Sequence, residues 1–273
     1  MIRRFSSDDR PPIINDQELN IPTYWIRPPR TVAGSPGMHR FVWDLHYPPP
    51  PSISREFPIS AIYGDTPQYP LGPTVLPATY SVKLTVNGAS SVQPLEIRMD
   101  PRVRLSAEQL HAQFELSAKI AAAMEQSFTA LRQVIGLREQ LRLSAGEARQ
   151  GELADAISKL DQQADLLAGS AEGSTFLSSI EGRSLSRLNV ALTTLMEVVE
   201  SADAAPTSSQ NAAFVQVQDA LNQQIQHWKR MKTEDVFFLN RKLKQAGLKE
   251  IDPEMATFLA PGWQKVEKVS GED

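Results

Sequence analysis

From Tyr80 to Val86 the chain alternates without a miss: Tyr80, Val82, Leu84 and Val86 on one side, Ser81, Lys83 and Thr85 on the other. A period of two marks a half-buried strand. Asn87-Gly88 follows, a pair that accepts positive φ at both positions and suits a type I′ hairpin turn. The returning strand runs to Met99, with Leu95, Ile97 and Met99 on one face and Glu96 and Arg98 on the other. A two-residue turn pairs Val86 with Ala89, Val82 with Gln93 and Tyr80 with Leu95, so both apolar sets share a face. Pro94 marks the second strand as an edge or a bulge. An earlier strand is predicted over Arg40–Tyr47, where Phe41, Trp43 and Leu45 alternate with Arg40, Val42 and Asp44, preceded by a turn at Ser35-Pro36-Gly37. Pro48 to Pro51 then reads as an extended polyproline II spacer. Ile2-Arg3-Arg4-Phe5-Ser6 reads as the end of a strand that nothing precedes, which leads to the expectation that Met1 is not the natural start.

After Leu105 the period becomes helical. Ser106-Ala-Glu-Gln109 is a capping box, in which hydroxyl and amide satisfy the free N–H groups of a first turn. Leu110, Phe114, Ala121, Met124, Phe128, Leu131, Ile135 and Leu141 then recur at steps of three and four, stopping near Gly146. A second helix covers roughly Glu152–Ala168 and stops at Gly169. The small, polar loop from Ser170 to Gly182 carries Phe176, Leu177 and Ile180. A third helix runs through Leu185, Leu188, Leu192, Leu195 and Val199. Thr207-Ser-Ser-Gln210 is a second capping box, opening a segment with Phe214, Val217, Leu221, Ile225, Trp228 and Met231 on one face. That segment continues through Leu239 and Leu243 to Gly247, with a break expected at Lys232–Asp235.

Proline divides the chain. Of 20 prolines, 17 lie at or before Pro101. A residue without an N–H breaks helices, so residues 1–104 are expected to be strand and loop and the remainder helical. Charge changes at the same place: the first 104 residues hold 11 Lys/Arg and 9 Asp/Glu, the rest 17 and 23. The expected fold is α+β in two parts. Residues 1–104 form a small, Pro-rich immunoglobulin-like β-sandwich lacking its first strand, and 105–250 an up-down four-helix bundle. Residues 251–273 form a docking strip around Phe258, Leu259 and Trp263 with a frayed tail.

Composition removes several chemistries. There is no cysteine, so thiolate metal sites, thiol nucleophiles and disulfides are excluded. A net charge of −4 argues against a general nucleic-acid binder. The longest uncharged stretch, Thr66 to Val82, carries four prolines and is no membrane span. Met1 to Ser7 runs straight into Asp8-Asp9 with no apolar leader segment. No Walker loop, nucleophile elbow or dinucleotide fingerprint occurs. Glu108-x-x-His111 has the spacing used in di-iron bundles, but the matching motif at His227 has Gln224 in place of the glutamate, and Glu108 suits a first helical turn without metal. No cofactor is therefore expected. His39 and His46 flank the Trp43 strand on its polar side. Asp44, Glu56, Asp65 and Asp100 supply carboxylates for a glycosidase pair, but a small sandwich offers no deep cleft to raise one pKa. Tyr24, Trp25, Trp43, Tyr47, Tyr63 and Tyr69 lie among prolines; Tyr24, Trp25, Tyr63 and Tyr69 are the candidate ligand platform, for sugar rings or a proline-rich ligand. Core packing is the competing role for the whole set. Trp228-Lys229-Arg230-x-Lys232 joins an apolar-stripe tryptophan to what reads as a solvated basic face.

Arg3-Arg4-Phe5-Ser6-Ser7-Asp8, Ile21-Pro-Thr-Tyr-Trp25, Gly37-Met-His-Arg-Phe-Val-Trp-Asp-Leu45, Leu76-Pro-Ala-Thr-Tyr80 and Asp100-Pro-Arg-Val103 resemble the C-terminal region of large bacterial β-propeller proteins of the sortilin-like, Asp-box-repeat kind, often labelled glycosyl hydrolases. In that family two propellers precede an immunoglobulin-like sandwich similar to the flagellar hook-capping type and a helical tail. The resemblance covers nearly the whole chain. Ala78 departs from it, standing where the family's turn has glycine. The resemblance implies an extracytoplasmic, non-catalytic accessory or spacer region whose partners are propeller domains. No Asp-box is present, and no catalytic residue carries over. The alternative is a carbohydrate-binding accessory region, with a glycan as ligand.

Overall fold

The structure is a computed structural model and describes residues 1–10, 19–28, 31–148, 150–169 and 183–257. It is a mixed α+β architecture of helices and one antiparallel sheet. Helix α1 spans Ala107–Ala148, α2 Glu152–Ala168, α3 Leu185–Val199 and α4 Ser208–Arg230; a π-helical stretch, Met231–Val236, leads into α5, Phe237–Gln245. Both expected capping boxes form. Ser106 N–H donates to Gln109 Oε1 at 2.9 Å, and Thr207 N–H to Gln210 Oε1 at 2.7 Å, each with the reciprocal bond to the hydroxyl. Gly169, with φ +65°, ends α2.

α1 has 42 residues and, at about 1.5 Å per residue, is roughly 63 Å long. No other helix matches it, and the bundle solves this by stacking. Arg138 on α1 pairs with Asp161 and Asp165 on α2, at 3.0 and 2.6 Å. Nearer the start of α1, Gln113 donates to the Val199 carbonyl, and Met124 and Ser127 meet Asn189 on α3. Thus α2 and α3 both run antiparallel to α1, one after the other. Their junction is tied by the Ser186 hydroxyl, which donates to the Ala168 carbonyl at 2.7 Å. α4 returns alongside α1, with Trp228 Nε1 donating to Gln133 Oε1. The expected up-down alternation of four segments therefore becomes three columns, because α1 is long enough to seat two shorter helices. The apolar cluster along this seam holds most of the fully buried side chains, among them Ile120, Leu131, Leu141, Leu188 and Leu221. Residues 251–257 run back down α1: Ile251 is buried, Asp252 N–H donates to Gln140 Oε1, and Thr257 N–H donates to the Arg132 carbonyl at 3.2 Å. The strip's expected anchors Phe258, Leu259 and Trp263, and the loop residues Phe176, Leu177 and Ile180, lie outside the described residues.

The sheet has two strands, β1 (Ala78–Val86) and β2 (Ala89–Ile97), in the expected register: Val86 opposite Ala89, Val82 opposite Gln93, Tyr80 opposite Leu95. Asn87 and Gly88 both have positive φ, 49° and 83°, as the tight turn requires. Among the described residues there is no further strand, so a sandwich is not shown. The predicted strand over 40–47 does not form. Leu45 turns out of extended geometry at φ 61°, and pairing there shrinks to a single bridge between His46 and Thr74. Ile2 to Ser6 is likewise not a strand; Arg3 donates to the Tyr47 carbonyl and the Phe5 ring lies 4.6 Å from that of Phe41. Prolines at 48–51, 58, 67, 70 and 73 remove ladder donors throughout this stretch.

What the Pro-rich half does instead is strap itself to the helices. Ser52 and Ile53 are buried against α1 and α3. Ile53 N–H donates to Asn189 Oδ1 at 3.0 Å, and the Ser52 hydroxyl lies 2.8 Å from that of Thr193. Asn189 Nδ2 donates to Ser127 Oγ and to the Met124 carbonyl, so one amide joins strap, α1 and α3. Lower down, Glu200 accepts from the Thr74 N–H and hydroxyl and from the Ser117 hydroxyl, and the Tyr47 ring packs on Phe114 at 5.5 Å.

Glu197, on the same face of α3, has its pKa raised, first by desolvation and second by the Glu56 carboxylate on the strap. A carboxyl raised in the folded state binds its proton more readily there than in the unfolded chain. Stability from this group therefore grows as pH falls from the raised value toward the ordinary carboxyl range, and is lost as pH rises. Glu197→Gln is expected to raise the urea midpoint at neutral pH, with the gain vanishing near pH 4. An equal gain at both pH values would show that charge is not its origin.

Candidate functional site

Three of the four platform residues come together. The short 3₁₀ turn Thr23–Trp25 and the loop around Tyr63 are bound side by side. Thr66 N–H donates to the Trp25 carbonyl, Arg27 N–H to the Thr66 carbonyl and Gly64 N–H to the Tyr24 carbonyl, at 3.0, 2.8 and 3.1 Å. Thr66 is fully buried, and its hydroxyl both accepts from Ile62 N–H and donates to the Ile62 carbonyl, closing the loop on itself. Gly64, at φ +65°, makes the reversal. On this base the ring of Trp25 meets Tyr63 edge-on at 5.8 Å and Tyr24 at 5.7 Å, while Tyr24 and Tyr63 are 6.3 Å apart. Tyr24 is 58% and Tyr63 74% exposed, and Ile59 and Ile62 beside Tyr63 are exposed too. Arg27 stands behind, 2.8 Å from Asp65 and 3.6 Å from Asp44. The arrangement presents aromatic edges and faces to solvent from a hydrogen-bonded base, with charged groups nearby.

Tyr69 is not among these ring contacts; its N–H donates to the Glu56 carbonyl. Trp43 and Tyr47 serve packing. The Trp43 ring meets Tyr80 edge-on at 6.4 Å and its Nε1 donates to the His46 carbonyl. His46 spends its ring nitrogens on the Asp44 carbonyl and the Thr74 hydroxyl, and His39 on the Ser35 carbonyl.

The carboxylates do not assemble into an acid–base pair of the glycosidase kind. Asp44 and Asp65 both face Arg27, and Asp100, with its pKa lowered by its hydrogen bonds from Arg102, lies elsewhere on the surface. Glu108 has its pKa lowered chiefly by the Ser106 hydroxyl, a helix-start role, with His111 a lesser cause. Among the described residues no three His, Asp or Glu side chains come together as a metal-holding group, and no helix is long and apolar enough to cross a membrane. Trp228 is buried, with the Lys232 ammonium over its ring at 5.4 Å and 2.6 Å from Glu254. It borders a shallow, open cleft of about 350 Å³ between α1 and α4, lined by Ala122, Glu125, Gln126, Thr129, Ile225 and Lys229 among others.

The second exposed feature is the hairpin. Its apolar row is packed only at the base, where Tyr80, Leu95 and Ile97 are partly covered; Val82, Leu84 and Val86 are 50%, 57% and 57% exposed. Alternation located this row, but nothing local could say that the described residues leave it uncovered. Comparison with protein-family models, with curated proteins and with solved structures finds no match for this chain.

Proposed function

We propose that this chain is a non-catalytic accessory region: a helical spacer, clamped by its Pro-rich half, that presents the β1–β2 hairpin to a protein partner. The carrying observation is the uncovered row Val82, Leu84 and Val86. A two-stranded ribbon is at best marginally stable in water, and its apolar face needs a facing layer. An immunoglobulin-like sandwich would be completed by such a layer from the partner. The resemblance to sortilin-like proteins points to β-propeller domains, in the same polypeptide or another, and to an extracytoplasmic setting. The test is binding of the chain to a recombinant propeller domain of that type. Leu84→Ser is expected to weaken binding at least about tenfold. No binding by the parent chain, or equal binding by the variant, would overturn the reading.

A second reading, a carbohydrate-binding accessory region, is favoured by the Tyr24–Trp25–Tyr63 ring set. Exposed rings held edge and face to solvent are the surfaces on which sugars stack. Retardation in gels containing immobilised polysaccharide, lost on Trp25→Ala in a folded protein, would support it; no retardation would remove it.

A further inference from the structure

We propose that the free edge of β1 pairs with the same edge of a second copy of this chain, forming a two-fold symmetric, four-stranded antiparallel sheet in the order β2–β1–β1–β2. The inference concerns the edge of the ribbon, not the face assigned to the partner above, and both can be engaged at once.

In a two-residue hairpin the closing pair, Val86 and Ala89, exchanges both main-chain bonds, and alternation then directs the N–H and C=O of Thr79, Ser81, Lys83 and Thr85 away from β2. Among the described residues no main-chain hydrogen bond reaches these groups. All of β1 except Tyr80 is exposed, so among the described residues nothing covers the edge. A solvent-facing row of outward donors and acceptors at strand spacing is a ready-made template for another strand.

The two edges of the ribbon differ. On β2 the outward residues are Ser90, Val92, Pro94 and Glu96, and Pro94 stands opposite Ser81. Its missing N–H is an outward one, so proline leaves the hairpin intact while blunting that edge. Addition is directed to β1, and the four-stranded sheet ends in Pro94 on both sides. A closed dimer results, not a growing fibre.

The sequence of β1 is complementary to itself. In full antiparallel overlap Ala78 faces Val86 of the second copy, Tyr80 faces Leu84 and Val82 faces Val82. On the other face Thr79 meets Thr85 and Ser81 meets Lys83. Apolar residues meet apolar ones, and no lysine stands opposite a lysine. The outward residues are also those that become hydrogen-bonded pairs in this register, so every free group of the edge finds a partner.

Sedimentation equilibrium across protein concentration is the experiment. The parent chain is expected to dimerise. Ser81→Pro, which removes an outward N–H of β1 as Pro94 does on β2, is expected to give a monomer; Val92→Pro, on the already blunted edge, is expected to leave the dimer unchanged. Because Ser81→Pro could also disturb the ribbon, charge reports the register independently. Ser81→Lys places lysine opposite Lys83 and should weaken the dimer, whereas Ser81→Glu should tighten it, each by roughly threefold or more at low salt. A monomeric parent chain at about 100 μM, well above a micromolar dissociation constant, would overturn the proposal. So would a dimer indifferent to the Ser81 variants, or one broken by Val92→Pro.

Discussion

Asn189→Leu is expected to cost the fold about 2–4 kcal/mol. Asn189 is fully buried and its amide spends both ends: Oδ1 accepts from Ile53 N–H, and Nδ2 donates to Ser127 Oγ and the Met124 carbonyl. Leucine is of similar size and fills the space, so the cost is not a cavity. It comes from the buried Ile53 N–H left without an acceptor and from a strap that loses one of its anchors on α3; each buried unsatisfied group costs roughly 1–3 kcal/mol. Urea unfolding measures the total. Limited trypsin digestion locates it: cleavage after Arg55, on the strap, should accelerate well before cleavage in α1. A midpoint unchanged within about 0.5 kcal/mol would mean that Ile53 finds another acceptor.

Gly136→Ala sets two effects of opposite sign against each other. In a helix interior alanine is better than glycine by about 1 kcal/mol, so propensity alone favours the change. Gly136, however, is where the returning strip 251–257 crosses α1, and a Cβ there would press into the Met255 carbonyl oxygen and lie 3.3 Å from the Thr257 nitrogen. These are main-chain atoms, pinned by the Thr257–Arg132 bonds and by Gln140 on Asp252. Crowding of this kind costs about 1–3 kcal/mol, and the net effect is expected to be destabilising. Hydrogen exchange gives the sharper readout: the Thr257 amide should lose protection as the strip lifts, while amides within α1 keep theirs. A raised melting temperature with Thr257 still protected would contradict the close approach.

Why the sequence revealed the helices and the hairpin so fully, and the rest so little, follows from the range of the forces involved. Capping at Ser106 and Thr207, the stop at Gly169 and the turn at Asn87-Gly88 are decided within a few residues, and they stand as read. The strand predicted at 40–47 rested on a similar alternation, but Leu45 breaks its course and pairing stops at the single bridge of His46 with Thr74. Pairing is a property of two segments, and only one was in view. The stacking of α2 and α3 on α1 was hidden for a related reason: periodicity gives a helix its face but not its direction. Ser52, Asn189 and Thr193 look like ordinary loop or surface residues, and only the fold, which sets them together over sequence separations of 136 and 141, makes them a buried lock. At the candidate site the rings of Tyr24, Trp25 and Tyr63 meet while that of Tyr69 is not among these contacts, which adjacency to prolines could not foretell because it says nothing about which loops meet.

The expected break at Lys232–Asp235 is instead the π-helical stretch, where the helix widens without interruption. Its buried positions run Met231, Val236, Leu239 and Leu243, a step of five followed by steps of three and four. Removing one residue from the five would restore an unbroken heptad rhythm, so the stretch is a phase correction. One surplus residue is absorbed in place, and the Thr233 hydroxyl donates to the carbonyls of Lys229 and Arg230. Without that absorption Val236 and everything beyond it would be rotated by about 100°, turning Phe238 toward the core and Val236, Leu239 and Leu243 away from it. α5 thus keeps its dry side dry by conceding a single turn of regular geometry.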